Sequence, residues 1–316
     1  MKKKMTDINY IPKVVCFGEV LWEIFPTYKR IGGAPLNVAY NLSNMGIYTS
    51  LITRIGQDEY GSKIKELLHQ AHIETNTCQI DNVHPTGSVF TSFDEHNEAI
   101  YDFATNCAWD NIELRKEDVD LVETADAFIF GTLASRTNIT RSTLHQLLEA
   151  AKYKIYDVNF RPPHYEIGYV IELMRKSNLI KMNKQELKVV LEHIGKVYTS
   201  DSENIKHIQD YFNCSELLIT DSSKGGIYVT ENNAYYYPAI SIVVRDTVGS
   251  GDAFLAGFLS EKIKNDNIYD IIKKASALGA FITSHNGGCP LYSLDEFLDF
   301  YTTNIFEDKL IKIEQL

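Results

Sequence analysis

The sequence predicts an α/β fold: a largely parallel β-sheet covered by helices on both faces, with a small β-sheet lid standing off it. Strand-like apolar runs alternate with helical patterns along most of the chain, and such alternation makes crossover units whose strands run parallel. The 316 residues are 44% hydrophobic, enough to bury a sizeable core. One stretch breaks the alternation with two consecutive β-rich runs, Ser88–Phe93 and Ala99–Phe103, joined by the polar Asp94–Glu98. That pattern reads as an antiparallel hairpin, and with the extended Glu23–Ile31 it supplies the lid.

In chain order, Lys13–Val20 reads as a first buried strand. Pro35 opens a helix with Val38, Leu42 and Met45 on one stripe, and Gly46 takes its C-terminal cap position. Ser50–Ile55 is the next strand, followed by an amphipathic helix carrying Ile64, Leu67, Leu68 and Ala71. Strand-like runs recur at Ala127–Phe130, Ile155–Phe160, Asn178–Met182 and Leu217–Thr220, separated by helical patterns at Thr143–Tyr153, Tyr165–Lys176 and Lys184–Ile194. No repeat or linker marks a sharp boundary. The α/β core is assigned to residues 12–22, 32–85 and 107–316, and the discontinuous lid to 23–31 and 86–106.

Charge and cysteine usage exclude several classes. The 31 Lys and Arg against 42 Asp and Glu give a net charge of −11, which argues against nucleic-acid binding, since phosphate backbones need a basic face. The five cysteines are widely spaced and form no CxxC pair, so neither a disulfide framework nor a thiolate metal site is expected. The N-terminal Met1–Met5 resembles the start of a signal peptide, but Asp7, Asn9, Pro12 and Lys13 interrupt the apolar run that should follow. The run Val14–Trp22 is too short to span a bilayer. A cytoplasmic protein without membrane partners is expected.

The strongest local signal is Asp246-Thr247-Val248-Gly249-Ser250-Gly251-Asp252, followed by the apolar helix Ala253–Ile263. Gly249 and Gly251 allow a tight turn and close approach of backbone amides to a ligand. Those amides lie at a helix N-terminus, where free N–H groups and the macrodipole favour an anion. A carboxylate at such a place, Asp252, suits a base that removes a proton from an attacking hydroxyl; a helix cap after a glycine loop is the alternative. Neither G-x-x-x-x-G-K-[ST] nor G-x-G-x-x-G occurs, which weighs against a P-loop and against a dinucleotide dehydrogenase.

The heptapeptide is similar to the C-terminal signature D-T-x-G-A-G-D of the PfkB (ribokinase-like) carbohydrate kinases, with Ser250 in place of the usual Ala. Gly32-Gly33-Ala34-Pro35-Leu36-Asn37-Val38-Ala39 resembles the family's other signature, a Gly-Gly hinge leading into a helix. Two signatures in order, far apart, are much more specific than either alone. The resemblance implies a Rossmann-like core with a β-sheet lid, and transfer of the ATP γ-phosphoryl group to a sugar hydroxyl. It makes Asp252 the base, and makes the amides of Gly249, Ser250 and Gly251 an anion hole for the transferring group.

Further segments carry the resemblance. Asn183-Lys184-Gln185-Glu186 resembles an N-x-x-E motif acting on magnesium and phosphate, largely through water, and one carboxylate is chemically sufficient for Mg²⁺. The same residues, ahead of Leu187, Val190, Leu191 and Ile194, also read as a capping box. Asp157-Val158-Asn159-Phe160-Arg161-Pro162 is similar to the D-x-N-x-R-P segment of fructokinase-like members, which implies that Arg161 and Asn159 meet sugar or phosphoryl group. Gly18-Glu19-Val20-Leu21-Trp22-Glu23 resembles their G-E-x-L-x-D start, with Glu23 one methylene longer than the family's sugar-binding Asp. Asn37 matches a sugar-contacting Asn beside Gly32 and Gly33. Ala108-Trp109-Asp110-Asn111 resembles a lid segment whose Trp109 either covers the sugar or plugs the lid.

In the nucleotide half, Thr220 and Gly225 match T-x-G-x-x-G, with Ser222 in place of the first Gly. Asn286 and Gly287 fall where family members line the adenine and monovalent-cation sites, although Asn-Gly-Gly is also an ordinary turn. The implied cofactors are ATP and Mg²⁺, with K⁺ admitted, and lid sheets of this kind admit a homodimer. Fructose is the expected substrate; 2-keto-3-deoxygluconate, ribose or a nucleoside, or a silent sugar or nucleotide sensor, are the alternatives. The stretch Ser88–Asn111 contains no Lys or Arg, which favours a neutral sugar over a keto-acid or a phosphosugar.

Overall fold

The computed structural model describes residues 10–93, 99–264 and 267–316. Asp94–Glu98, expected to join the lid hairpin, and the first nine residues lie outside them. The chain opens with β1 (Lys13–Phe17), then makes two short strands, β2 (Leu21–Ile24) and β3 (Lys29–Gly32), before α1 (Ala34–Asn44). Next come β4 (Tyr48–Gly56), α2 (Glu59–Gln70), β5 (Cys78–Asp81), β6 (Gly87–Phe93) and β7 (Ala99–Phe103). The middle alternates regularly: α3 (Lys116–Thr124), β8 (Ala127–Gly131), α4 (Asn138–Ala150), β9 (Lys154–Asp157), α5 (Ile167–Arg175), β10 (Leu179–Asn183) and α6 (Lys184–His193). The C-terminal part holds α7 (Asp201–Phe212), β11 (Glu216–Thr220), β12 (Gly226–Val229), β13 (Asn233–Tyr237), α8 (Ser250–Lys262), α9 (Ile268–Thr283), α10 (Leu294–Asn304) and β14 (Lys312–Gln315).

Ten strands form one sheet in the order β14-β13-β12-β11-β10-β9-β8-β1-β4-β5. Pairing is parallel from β11 to β5 and antiparallel from β11 to β14. Successive residues face opposite sides: Val14 and Cys16 join one apolar layer, with α1, α8 and α9, and Val15 and Phe17 the other, with α4, α5 and α6. The parallel strands end at one edge of the sheet, where open α/β sheets place their ligand sites.

The second sheet has the order β3-β2-β6-β7. Its outer pairs are antiparallel, but β2 and β6 run parallel, Leu21 opposite Gly87. The hairpin reading of the sequence thus describes one half of a four-stranded mixed sheet, and the strand in front of Glu23 starts two residues earlier, at Leu21.

The first strand, expected to run to Val20, stops at Phe17 before Gly18 at φ 141°, and two further boundaries moved for identifiable reasons. The strand expected to run to Phe160 stops at Asp157, because Asn159 turns into the left-handed region at φ 39°. The helix expected from Thr143 begins at Asn138. Its polar first turns are buried through hydroxyls: Thr140 accepts from the Ile112 amide and donates to the Trp109 carbonyl, and Thr143 donates to the Ile112 carbonyl. Among the described residues, no helix is long and apolar enough to cross a membrane.

Helices α8 and α9 approach closely at Gly257, where a Cβ would fall 2.9 Å from the Lys274 carbonyl oxygen and 3.0 Å from the Ala275 Cα. Alanine is the better helix former by about 0.8–1 kcal/mol, but overpacking of this kind costs about 1–3 kcal/mol. Gly257→Ala should therefore lower stability. Urea unfolding of the variant checks this, and a midpoint at or above that of the parent would show that the helices part without cost.

Candidate active site

The site gathers where β1, β8, β9, β10 and β11 end and where α8 begins. Register makes its first feature. Lys181 on β10 lies opposite Asp157 on β9, so both side chains share a face, and Lys181 Nζ donates to both carboxylate oxygens at 2.7 and 2.8 Å. Both groups are buried. Burial alone would push the Lys181 pKa down, but Asp157 and then Asp252 outweigh it and raise it.

Asp252 occupies the first turn of α8. Gly249 precedes the helix in the left-handed region at φ 77°, and Ala253 is the first residue whose amide reaches back to the Gly249 carbonyl, at 2.8 Å. The amides of Gly249, Gly251 and Asp252 thus have no intrahelical acceptor. Ser250 differs from the expectation of three free amides, since its N–H donates to the Thr247 carbonyl at 3.3 Å. The Asp252 side chain is buried, and its Oδ2 accepts from Asn37 Nδ2 at 2.8 Å. Desolvation, followed by the charge of Asp157, raises its pKa to about 6 against the opposing pull of Lys181, Asn37 and Arg161. A carboxylate so placed is a stronger base than an ordinary one, yet still ionised near neutrality.

Asn37 reaches this position from the first turns of α1, just beyond the hinge. Gly33 has φ 118°, and a Cβ there would meet the Glu19 carbonyl at 2.5 Å. One Asn37 N–H serves Asp252, and its Oδ1 accepts from Cys289 Sγ at 3.2 Å. Gly32 leaves room for Glu23, whose Oε1 would lie 2.6 Å from a Cβ at that position. Glu23 Oε2 takes a 2.5 Å ion pair from Arg30 Nε.

A second group lies at the ends of β1, β8 and β9. Glu19, Asp157, Asn159 and Arg161 line a cavity of about 20 Å³ with Thr132 and Leu133. Glu19 is buried with Oε2 unpartnered, and desolvation raises its pKa to about 7. A cavity of this size holds about one water.

On the other side of the α8 N-terminus opens a cleft of about 630 Å³. It takes in Asn183, Thr220, Gly225, Ser250 and Gly251 from the sequence reading. It also takes in Pro238–Ile242, Val244 and the Ser276, Gly279, Ala280 and Thr283 face of α9, which that reading missed. Ser222, where a glycine was expected, adopts a left-handed φ of 47°, so the loop keeps the conformation that a glycine would favour. Asn286 is exposed and not among the cleft-lining residues, whereas Gly287 and Gly288 are buried against Arg30 and Asn37.

The Asn183–Glu186 capping box is complete. Asn183 Oδ1 accepts from the Gln185 and Glu186 amides, and Glu186 Oε2 accepts from the Asn183 amide at 2.8 Å. Glu186 Oε1 accepts from the Phe160 amide at 2.9 Å, so the same carboxylate also holds the loop before Arg161. Burial raises its pKa. Among the described residues, no group of three or more His, Cys, Asp or Glu side chains clusters as a metal site.

Trp109 stands apart from both cavities. It is 1% exposed, its Nε1 lies where a side chain on Gly87 would be, and the Arg136 guanidinium stacks over its ring at 4.1 Å. It lies buried beneath Gly87 at the base of the lid. Two charged residues escaped the sequence reading: Lys181, signalled only by a lysine inside an apolar strand, and Arg30, with no signal beyond its place before the Gly-Gly hinge.

Comparison with known proteins fits this geometry. Fructokinase-2 of rice (Oryza sativa subsp. japonica) is 27% identical over 307 residues, covering 88% of this chain and 90% of that protein. An uncharacterized sugar kinase from Pyrococcus horikoshii, solved in complex with ATP, superposes with a TM-score of 0.79 at 24% identity, over 90% of this chain and 97% of that one. A fructokinase from Vibrio cholerae O395, solved with fructose, ADP and calcium ion, gives 0.77 at 20% identity, over 92% and 99%. The model of the pfkB family of carbohydrate kinases matches residues 4–293. With that match running through both glycine signatures and every strand end that builds the site, the chain belongs to the pfkB carbohydrate kinase family, phosphotransferases that act on a sugar hydroxyl.

Proposed function

We propose that this protein transfers the γ-phosphoryl group of ATP to a hydroxyl of a neutral sugar, with fructose as the substrate. The observation that carries this reading is Asp252: a buried carboxylate of raised pKa at the N-terminus of α8, with the nucleotide-sized cleft on one side and the Glu19–Arg161 cavity on the other. Asp252 takes the hydroxyl proton as the sugar oxygen attacks phosphorus and the bond to the β-phosphate oxygen breaks. The first-turn amides of α8 and Arg161 meet the charge on the transferring group.

Glu23 and Asn37 face the sugar, with Glu23 Oε1 accepting from its hydroxyls. Asn159 and Arg161 close the same end, and Thr220, Gly225 and the α9 face hold the nucleotide. Asn183 and Glu186 would hold Mg²⁺ mainly through water, and the ion would neutralise charge on the phosphates. Fructose is favoured because the matched rice relative and the Vibrio cholerae structure are fructokinases. Arg30 adds no uncompensated cation beside Glu23, since it is engaged by two carboxylates. The deciding experiment is ADP release measured across fructose, 2-keto-3-deoxygluconate, ribose, glucose and adenosine; a preference for the keto-acid or the nucleoside would overturn the fructose assignment.

Asp252→Asn should retain the fold and nucleotide binding while lowering kcat by about 10²–10⁴. Near-parental turnover would remove Asp252 from the mechanism. Because the base must be ionised, activity should fall as pH drops through about 6. Asp157→Asn removes a charge that raises the Asp252 pKa, so this acid limb should move to lower pH. A limb that stays in place in the variant would assign it to another group.

Glu186→Gln should raise the Mg²⁺ concentration needed for half-maximal rate. If Glu186 only caps α6, the variant should instead lose stability with its Mg²⁺ dependence unchanged. Metal titration and thermal melting of one preparation separate the two roles.

A further inference from the structure

Arg30 spans the gap between lid and core. It lies on β3 opposite Glu23 of β2, and its Nε donates to Glu23 Oε2 at 2.5 Å. Its Nη1 donates to Asp246 Oδ2. Asp246 is the first residue of the loop that leads into α8. Its Oδ1 accepts from the Val248 amide at 3.0 Å, and its Oδ2 accepts from the Gly287 amide at 3.0 Å. One carboxylate thus ties the anion loop to the Asn286–Gly288 turn, and a guanidinium from the lid supplies its counter-charge. Arg30 is part-buried, packs against Gly287, and has its guanidinium 5.0 Å from the centre of the Phe25 ring.

We propose that Arg30 is a positioning residue of the phosphoryl-transfer reaction, the fixed charge through which Glu23 at the sugar end and the anion loop at Asp246 sense each other. The inference rests on the reading of Asp252 and its loop as the transfer site. Two carboxylates share one guanidinium, so each bond depends on the other. A sugar hydroxyl donated to Glu23 weakens that carboxylate's hold on Arg30 and leaves more of the guanidinium to Asp246, which sets the Thr247–Gly249 turn and the amides beyond it.

Those amides act only if they are held close to the position of the developing charge, since a misplacement near 1 Å costs about 10²-fold in rate. A bound monovalent cation would supply the same charge to Asp246, but it would carry no link to Glu23. A lysine would supply charge without the two divergent N–H donors that reach both carboxylates. The extra methylene of Glu23, relative to an aspartate, serves this reach across to β3.

The test is steady-state kinetics, varying fructose and ATP separately, on Arg30→Gln, Arg30→Lys, Glu23→Gln and the two double variants, with thermal melting of each. Arg30→Gln should lower kcat roughly 10- to 100-fold and raise the sugar KM, while its melting temperature shows a folded protein. Added guanidinium or K⁺, at concentrations below those that perturb the parent, should restore part of kcat but not the sugar KM. Arg30→Lys should recover kcat more than sugar KM. The effects of Arg30 and Glu23 variants on kcat/KM should be non-additive, because each disables the same link.

Parental kinetics in Arg30→Gln, or additive effects with Glu23→Gln, would overturn the proposal. If Arg30→Gln does not fold, Arg30→Lys decides by the same additivity criterion. Asp252→Asn, run alongside, separates the two levels. Loss of turnover there with a silent Arg30→Gln defeats only the link, whereas turnover retained in Asp252→Asn defeats the site reading on which the link rests.

Discussion

The site depends on taking two carboxylates and one ammonium out of water together. Asp157 and Lys181 are paired by the register of β9 and β10, and a one-residue slip would send them to opposite faces of the sheet. Burying either charge alone would cost several kcal/mol, so the pair is a condition for the strand end to be buried at all. Asp252 is the third charge, with one hydrogen-bond donor from Asn37 and a like charge nearby. Its basicity is the residue of that imbalance. Sheet register, made by apolar neighbours such as Ile180 and Met182, therefore sets a chemical property of a side chain that enters from a helix.

How much of this was legible follows from how far apart the partners lie. The alternation of strands and helices, the helix after the Gly-Gly pair and the glycine loop before Asp252 are local patterns, and each is present in the expected order. The Asn183–Glu186 box is local as well, and its cap geometry was readable down to the hydrogen bonds. Arg30–Asp246 and Asn37–Asp252 join residues more than two hundred positions apart, and no local pattern announces such a contact. Lys181 could have been suspected, because a charge inside Leu-Ile-Lys-Met requires a buried partner. The Pro238–Ile242 wall of the cleft lacks glycine punctuation, so nothing in the sequence distinguishes it from a connecting loop. Trp109 left two readings open, and burial beneath Gly87 favours the plug.

Two of the four chain crossings between lid and core are built differently. One passes through Gly32, packed against the Glu23 side chain, and Gly33, whose φ of 118° would strain other residues. The other runs from β7 into Cys107–Asn111, where Arg136 pairs with Asp110 at 2.7 Å, donates to the Ala104 carbonyl and stacks on Trp109. Arg30 lies beside the glycine crossing and takes Asp246 as its partner on the core side.

The parallel pairing of β2 with β6 also bears on how the chain is made. Leu21 and Trp22 are buried in the finished protein, but the strand that Leu21 pairs with begins at Gly87. At a synthesis rate of about 5–20 residues per second, the ribosome adds that partner several seconds after β2 has been made. During that interval the edge of β2 that will meet β6 is open to other nascent chains. The intervening α1, β4 and α2 give the growing core something to collapse around, while β2 and β3 wait as a two-stranded ribbon that is marginal alone. Non-native association during synthesis should thus concentrate on this ribbon, and the charged Glu23, Lys29 and Arg30 within it act as gatekeepers before they act in the site.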